Sequence, residues 1–206
     1  FGGDEVQMWV VYPPDFDPKK RWPLLHNIHG GPHSIWGDNF HFRWNNHVFA
    51  AQGYVVACVN YHGSSSFGRD YQESIMGGKG KREHTDVEAG TDYLLARGFI
   101  DAKRLVASGG SYGGYMVAWM NGHAKRYKAY VCHAGCFDWV SMFADDVSYW
   151  HHQSLGANYW DNFKLIESQN PRASVKNMET PTLVIHGALD YRVPDGQGLA
   201  YYNTLL

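Results

Sequence analysis

The sequence predicts an α/β fold, a mainly parallel sheet with helices on both faces. Short apolar segments rich in β-branched residues alternate with helical segments, as they do where helices connect parallel strands. Near the middle of the chain, an apolar segment runs into a glycine-rich turn with a serine at its apex, and a helical segment follows. The 206 residues can bury one good core and show no internal linker. We therefore treat residues 1–206 as one domain.

Three strands and one helix are expected at the start of the chain. The strands are apolar runs that end at proline, glycine or a polar loop, at residues 6–12, 23–29 and 54–60. A short helix is expected at residues 42–51, with Gly53 behind it as a stop signal. Residues 62–80 hold five glycines and are expected to form a loop.

The rest of the chain continues the alternation of strand and helix. Thr85 or Asp86 can cap a helix that runs to residue 97, where Gly98 closes it. A last helix is expected to start near Asp195 and to run to the C-terminus, whereas residues 137–170 are aromatic and irregular. The remaining expected elements are strands at 104–108, 129–134 and 181–186 and a helix at 112–122.

Charge and hydropathy exclude several classes of protein. Lys and Arg number 18 against 20 Asp and Glu, and no block of like charge suggests binding to nucleic acid or to a membrane surface. The longest run without Asp, Glu, Lys, Arg or His, residues 105–122, holds five glycines and two serines, which argues against a membrane-spanning helix. The chain opens without Met or a signal peptide, so we expect it to be the middle of a longer chain. Its compartment, periplasmic or cytoplasmic, stays open.

The three cysteines support no metal site. Cys58 and Cys132 lie in apolar strand-like runs and are expected to be small buried hydrophobic residues. No second Cys or His pair lies at zinc spacing from the pair Cys132 and Cys136, and a disulfide between those two is equally unsupported.

The turn Gly109-Gly110-Ser111-Tyr112-Gly113 matches G-x-S-x-G, the nucleophile elbow of α/β-hydrolases. Such a turn holds its serine exposed, in a strained conformation, at the carboxyl end of a central strand. Side chains two positions before and after the serine would collide with the neighbouring strand and helix, so glycine is expected at both. The N-terminal amides of the following helix point toward developing negative charge. The sequence therefore predicts Ser111 as a catalytic nucleophile in an α/β-hydrolase fold.

A serine nucleophile needs a base and a group that orients the base. In this fold an acid and then a histidine follow the elbow, each in a loop after a strand. Asp190 fits the acid, since it follows the strand at 181–186; alternatively, it is a turn aspartate that caps the next helix. All 12 histidines lie at or before position 186, and His186 is expected to support the loop rather than to act as the base. We therefore expect the segment with the base to be absent, and the 206 residues alone to be nearly inactive.

Two backbone amides should form the oxyanion hole. One belongs to the residue after the nucleophile, Tyr112, and the other to a glycine-rich loop after an early strand. The run His29-Gly30-Gly31-Pro32 occupies that place, and Gly31 is the expected donor, with Gly30 second. His29 is expected to bond the loop backbone rather than to act in catalysis.

Two further features are candidates for substrate binding. Arg192, on the loop of the predicted acid, presents a planar cation that can hold a carbonyl or carboxylate; alternatively, it is a surface arginine. The aromatic segment after the elbow can wall a pocket for apolar side chains, with Phe137, Trp139 and Phe143 as the best candidates. Core packing is the alternative for these aromatic residues.

Together these motifs resemble the catalytic domain of the prolyl oligopeptidase family of serine peptidases, in the branch of acylaminoacyl-peptidases and dipeptidyl-peptidase 5. The resemblance covers nearly the whole chain and is carried by the segments 29–32, 60–64, 109–115 and 186–194. It implies Ser111 as nucleophile, Asp190 as acid, the amides of Gly31 and Tyr112 as oxyanion donors, and Arg192 as a ligand of a substrate carbonyl. It also implies short peptides as substrates, no cofactor, and an N-terminal β-propeller before this segment.

The resemblance also shapes what we expect of the whole protein. The family's catalytic histidine is expected some tens of residues past Leu206, so residues 1–206 would form a partial catalytic domain. His62 stands where the family has arginine, and Ser66 where it has glycine. The expected activity is cleavage of short peptides near their N-terminus, by a protein that can form a homo-oligomer. A carboxylesterase on the same scaffold and a non-catalytic hydrolase-like fragment are the alternatives.

Overall fold

A six-stranded sheet forms the centre of the computed structural model, which describes residues 2–206. The strand order is β1-β3-β2-β4-β5-β6; β1 pairs antiparallel with β3, and all other pairings are parallel. This arrangement confirms the predicted mainly parallel sheet. The strands are β1 (Met8–Val11), β2 (Trp22–Ile28), β3 (Val55–Val59), β4 (Ile100–Gly110), β5 (Ala129–His133) and β6 (Thr182–Ile185).

Within residues 2–206, helices lie between all successive strands after β2. The α-helices are α1 (Asn46–Ala50), α2 (Arg69–Glu73), α3 (Lys81–Ala96), α4 (Tyr112–His123), α5 (His151–Leu155), α6 (Phe163–Glu167) and α7 (Gly196–Leu205). Short 3₁₀ turns lie at Ser141–Ala144, Ser148–Trp150 and Pro171–Asn177.

The core lies on both faces of the sheet. Successive side chains of β2 point to opposite faces, so Leu24 joins the larger core with α3 and α4, whereas Leu25 packs with Ala50 of α1 in a smaller one. Helix α4 is buried from Tyr112 to Gly122, which explains why its sequence is apolar on all sides. Helices therefore cover both faces, as predicted.

Several elements differ from the sequence-based expectation: β4 begins at Ile100 instead of 104, α1 begins at Asn46 instead of 42, and the segment 137–170 contains α5 and α6. Two further differences have a clear physical reason. Helix α3 begins at Lys81, before Thr85, because the Glu83 carboxylate accepts the Gly80 N–H and caps the helix from inside its own first turn. The expected glycine-rich loop contains α2, a single helical turn that starts after Gly68. Short turns of this kind carry too few residues for a periodic pattern.

The three cysteines are free and buried, which confirms the expectation for Cys58 and Cys132. Burial raises the pKa of both of these thiols to about 12, so they stay protonated at neutral pH. No helix within residues 2–206 has the length and apolar character needed to span a bilayer.

Candidate active site

Ser111 sits at the apex of a sharp turn between β4 and α4. Its backbone angles are φ 57° and ψ −120°, a conformation that residues other than glycine rarely adopt. The Ser111 N–H donates to the carbonyl oxygen of His133 at 2.9 Å, and the Tyr115 N–H donates to that of Ser111 at 3.0 Å. Ser111 is exposed, although the helix behind it is buried. This is the strained, exposed serine that the sequence predicted.

Close approach of backbones requires glycine on both sides of this serine. A Cβ atom on Gly109 would lie 2.3 Å from the carbonyl oxygen of Gly113. One on Gly113 would lie 2.1 Å from the carbonyl oxygen of Ile28 at the end of β2. Both contacts are far shorter than a real Cβ makes, so the steric reason given for these glycines is confirmed.

The glycine loop after β2 lies against Ser111. A Cβ on Gly30 would be 3.2 Å from the Ser111 Cβ and 3.7 Å from its Oγ. Gly31 has φ 114°, and its peptide bond to Pro32 is cis. Within residues 2–206, neither the Gly31 N–H nor the Tyr112 N–H donates a hydrogen bond. Both predicted oxyanion donors therefore have free N–H groups, one adjoining Ser111 in the chain and one in the loop beside it.

His29 supports this loop. Its Nδ1 donates to the carbonyl oxygen of Gly30 at 2.8 Å, and its Nε2 accepts the Ser64 hydroxyl at 2.8 Å. The Tyr61 ring stacks on it with centroids 4.2 Å apart. Burial lowers the pKa of His29 to about 4, so the ring is neutral at neutral pH. The structure thus gives His29 the supporting role that the sequence predicted.

Asp190 lies in the turn that follows β6. Its Oδ1 accepts the amides of Arg192 at 3.0 Å and Val193 at 2.9 Å. Its Oδ2 accepts no hydrogen bond from residues 2–206 and lies 3.9 Å from Nε2 of His186. The N-cap position of α7 belongs to Asp195, so the alternative in which Asp190 caps that helix is wrong. Asp190 orders its own turn with one oxygen and keeps the other available.

No imidazole within the described residues is hydrogen-bonded to the Ser111 hydroxyl. His186 donates from Nε2 to the carbonyl oxygen of Val193 at 2.7 Å, and so supports the loop as predicted. His133 borders the same cavity as Ser111, but its ring packs edge-on against Trp44, and burial lowers its pKa. The described residues thus bring together a candidate nucleophile and a candidate acid without a histidine bonded to either.

Arg192 forms a two-pronged ion pair with Asp146. Its Nε donates to Asp146 Oδ1 at 2.5 Å and its Nη2 to Oδ2 at 3.2 Å, and both side chains are exposed. The hydrogen bond from Arg192 lowers the pKa of the Asp146 carboxyl. The guanidinium is therefore held in one orientation, and its Nη1 donates to no group within residues 2–206.

A cavity of about 720 Å³ opens beside Ser111. Its lining includes Gly31, Asp190 and Arg192 as well as the serine, so four of the predicted site residues border one space. They come from the loops that follow β2, β4 and β6. Carboxyl ends of parallel strands meet at one edge of a sheet, which is where the ligand sites of such folds lie.

The aromatic residues predicted to wall the pocket lie elsewhere. Phe137 and Trp139 are 3% and 5% exposed and belong to the larger core, where Phe137 stacks on Tyr201. Phe143 is half-buried and packs edge-on against Tyr159. None of the three lines the cavity. The structure corrects this prediction in favour of core packing, because the chain after β5 folds over the apolar surface of α4 instead of facing the serine.

The cavity wall is built by a segment that the sequence analysis did not single out. Residues 34–47, which run from the loop after β2 into the start of α1, supply Trp36, Phe40 and Trp44. Trp44 lies against the turn that holds Ser111, since a Cβ on Gly110 would be 2.7 Å from the Trp44 ring. The signal that could have found this wall is the run of four aromatic residues at 36–44, directly after the glycine loop.

Comparison with known proteins agrees with this geometry. A model of the prolyl oligopeptidase family matches residues 40–206. Dipeptidyl-peptidase 5 of Schizosaccharomyces pombe is 36% identical over 207 residues, covering 98% of this chain and 30% of that protein. Dipeptidyl-peptidase 5 of Porphyromonas gingivalis is 34% identical over 208 residues, with the same shares covered, 98% and 30%.

A solved structure shows the same fold. The acylaminoacyl peptidase of Pyrococcus horikoshii superposes with a TM-score of 0.92 at 27% identity, covering 98% of this chain and 33% of that one. This likeness confirms the α/β-hydrolase fold. The chain spans about a third of the length of these relatives, between 30% and 33%. With the family model matched over most of its length, the chain belongs to the prolyl oligopeptidase family.

Proposed function

We propose that this chain is the part of a serine peptidase that carries the nucleophile and the acid. In this proposal the full-length protein releases dipeptides or acylated residues from the N-termini of short peptides. The observation that carries the proposal is the strained, exposed Ser111 at the carboxyl end of β4. The choice of peptides as substrates rests on the relatives, which are named dipeptidyl-peptidase 5 and acylaminoacyl peptidase.

Ser111 attacks the carbonyl carbon of the scissile bond, and its proton passes to a histidine base. Negative charge then develops on the carbonyl oxygen. The free N–H groups of Gly31 and Tyr112 are the proposed donors to this oxygen, assisted by the positive end of the α4 dipole. One such donor is worth about 100- to 1,000-fold in kcat.

Asp190 is proposed to orient the base through Oδ2. Because Oδ1 is held by two backbone amides, the carboxylate has one orientation in which to accept an imidazole N–H. We propose that the base is a histidine outside residues 1–206, since no imidazole within residues 2–206 bonds to Ser111 or Asp190. The 206 residues alone would then show only the residual rate that binding and the oxyanion donors provide.

Arg192 is proposed to hold a carbonyl of the bound peptide. Asp146 engages Nε and Nη2, so Nη1 is left to donate to substrate from a fixed position. Arg192 and Ser111 border the same cavity, as this role requires.

The experiment compares the full-length protein with its Ser111→Ala variant on fluorogenic dipeptidyl and acyl-aminoacyl amides and on the matching esters. We expect Ser111→Ala to lower kcat/KM on amides by at least about 1,000-fold. Ser168→Ala is the matched control, because Ser168 is exposed and its hydroxyl donates only to the carbonyl oxygen of Leu165 in α6, the helix that it follows. Amide cleavage that survives Ser111→Ala would overturn the proposal, and so would wild-type hydrolysis confined to the esters.

A further inference from the structure

A buried polar cluster lies directly behind the nucleophile and consists of Lys79, Glu83 and Tyr112. Their exposed fractions are 1%, 0% and 5%. The proposed reaction uses the backbone N–H of Tyr112 but none of these three side chains. Enclosing an ammonium and a carboxylate is costly unless other groups compensate them, so the contacts within the cluster bear on its role.

Glu83 joins Tyr112 to the turn before α3. Its Oε1 accepts the Tyr112 hydroxyl, and its Oε1 and Oε2 accept the Gly80 N–H at 3.2 and 3.0 Å. Burial raises the pKa of Tyr112 well above its ordinary value, so the phenol remains the donor. An O–H and an N–H thus both donate to one carboxylate, which anchors the end of the Tyr112 side chain to α3.

Lys79 holds the same tyrosine from another direction. Its Nζ lies 5.2 Å from the ring centroid of Tyr112 and 5.7 Å from that of Trp150, and it has no hydrogen-bond partner within residues 2–206. A cation over an aromatic face is attracted to the ring. The Tyr115 ring packs against Tyr112 with centroids 4.8 Å apart. The side chain of Tyr112 is therefore held at its hydroxyl and at its ring.

We propose that Glu83 is a positioning residue for the nucleophile elbow and acts through the hydroxyl of Tyr112. Tyr112 follows Ser111 in the chain, and its N–H is an oxyanion donor in the function proposed above, on which this inference rests. With its side chain anchored, the Tyr112 backbone cannot rotate its N–H away from the oxyanion. Misplacing a reacting group by about 1 Å can cost about 100-fold in rate, so a partial loss of this anchor should be visible in kcat.

The test uses Tyr112→Phe, Glu83→Ala, Glu83→Gln and the double variant Tyr112→Phe/Glu83→Ala of the full-length protein. We expect kcat on a peptide amide to fall roughly 10-fold in Tyr112→Phe and in Glu83→Ala, with KM changed less than about twofold. The double variant should be no slower than Glu83→Ala, because both changes remove one contact. Glu83→Gln keeps an acceptor for the hydroxyl and should recover most of the lost kcat.

Tyr115→Phe is the matched control. Tyr115 is a buried tyrosine of the same helix, and its hydroxyl donates to the carbonyl oxygen of Gln169 at 2.9 Å instead of to Glu83. It should lose thermal stability as Tyr112→Phe does, and keep its kcat. Equal kcat in both Phe variants would overturn the inference, and so would losses that multiply in the double variant. If Glu83→Ala fails to fold, the comparison of kcat between Tyr112→Phe and Tyr115→Phe decides the inference, because Tyr112→Phe removes only one oxygen atom.

A second readout separates this inference from the proposed function. The rate at which a fluorophosphonate labels Ser111 depends on the nucleophile and the oxyanion donors and requires no peptide substrate. If wild type is labelled but does not cleave peptides, only the proposed substrate class is overturned. The labelling rates of wild type and the variants then decide the inference. Equal labelling rates in wild type, Tyr112→Phe and Glu83→Ala would overturn the inference and leave the proposed function standing. Absence of labelling in wild type would overturn both.

Discussion

Gly113→Ala tests the steric basis of the elbow. The added Cβ would lie 2.1 Å from the carbonyl oxygen of Ile28 and 3.0 Å from that of His29, whereas ordinary contacts begin at 3.4 Å. The first turn of α4 and the end of β2 must therefore separate by about 1.3 Å, from 2.1 to 3.4 Å. Both partners are backbone in the centre of the core, so no side-chain rotation relieves the contact. Overpacking costs about 1–3 kcal/mol, and we expect about 3 kcal/mol here.

That loss corresponds to a fall in Tm of roughly 6–12 °C, at about 2–4 °C per kcal/mol for a chain of this size. Thermal and urea unfolding followed by tryptophan fluorescence measure it. Gly196→Ala is the matched control, because a Cβ there meets no heavy atom within 4 Å and the residue is the first of α7. It should be neutral or more stable by up to about 1 kcal/mol, since alanine favours the helix. A Gly113→Ala variant as stable as Gly196→Ala would refute the argument from close approach.

Two further predictions concern strain and buried charge. Ser111→Gly should unfold at a higher urea concentration than Ser111→Ala. Glycine accepts φ 57° without the strain of about 1–3 kcal/mol, whereas the greater conformational entropy of its unfolded state costs only about 0.5–1 kcal/mol of stability. Equal urea midpoints for the two variants would contradict the strain. Burial lowers the pKa of Lys79 to about 8 from 10.5. Between pH 8 and pH 10.5 the unfolded chain therefore binds more protons than the folded one. The free energy of unfolding should rise with pH over this range, by up to about 1.4 kcal/mol per pH unit. Below pH 8 both states are protonated and this contribution is constant. Urea titrations at several pH values should show the rise in wild type and not in Lys79→Met, and parallel curves would disprove the assignment.

The elbow could be predicted from sequence because its requirements are local. Gly109 and Gly113 meet backbone atoms at 2.3 and 2.1 Å, and only glycine satisfies such contacts, so the letters G-x-S-x-G specify the geometry by themselves. The turn at Asp190 is local in the same sense, since its carboxylate bonds amides two and three residues ahead. Motifs of this kind can be recognised in the sequence without knowledge of the rest of the fold.

The wall of the cavity could not be predicted, because the side an aromatic residue faces is decided by tertiary packing. Helix α4 is apolar on all sides and must be covered on the face away from the sheet. The chain after β5 supplies that cover: a Cβ on Gly122 would be 2.6 Å from the Cβ of Ser174. Phe137 and Trp139 are drawn into this layer, and Trp36, Phe40 and Trp44 are left to line the cavity beside Ser111.

Glu83 was missed for a related reason. The sequence analysis expected the helix to begin at Thr85 or Asp86, which placed Glu83 between a glycine-rich loop and that helix, where a charged residue is ordinarily exposed. Its burial makes sense only once the fold brings the Tyr112 hydroxyl to it from 29 positions away. A buried carboxylate is energetically costly, and departures of this kind from ordinary residue placement concentrate at functional sites, which agrees with the positioning role proposed for Glu83. Local motifs therefore locate the proposed nucleophile and the proposed acid in this chain, whereas the contacts proposed to position them are visible only in the three-dimensional arrangement of buried polar side chains.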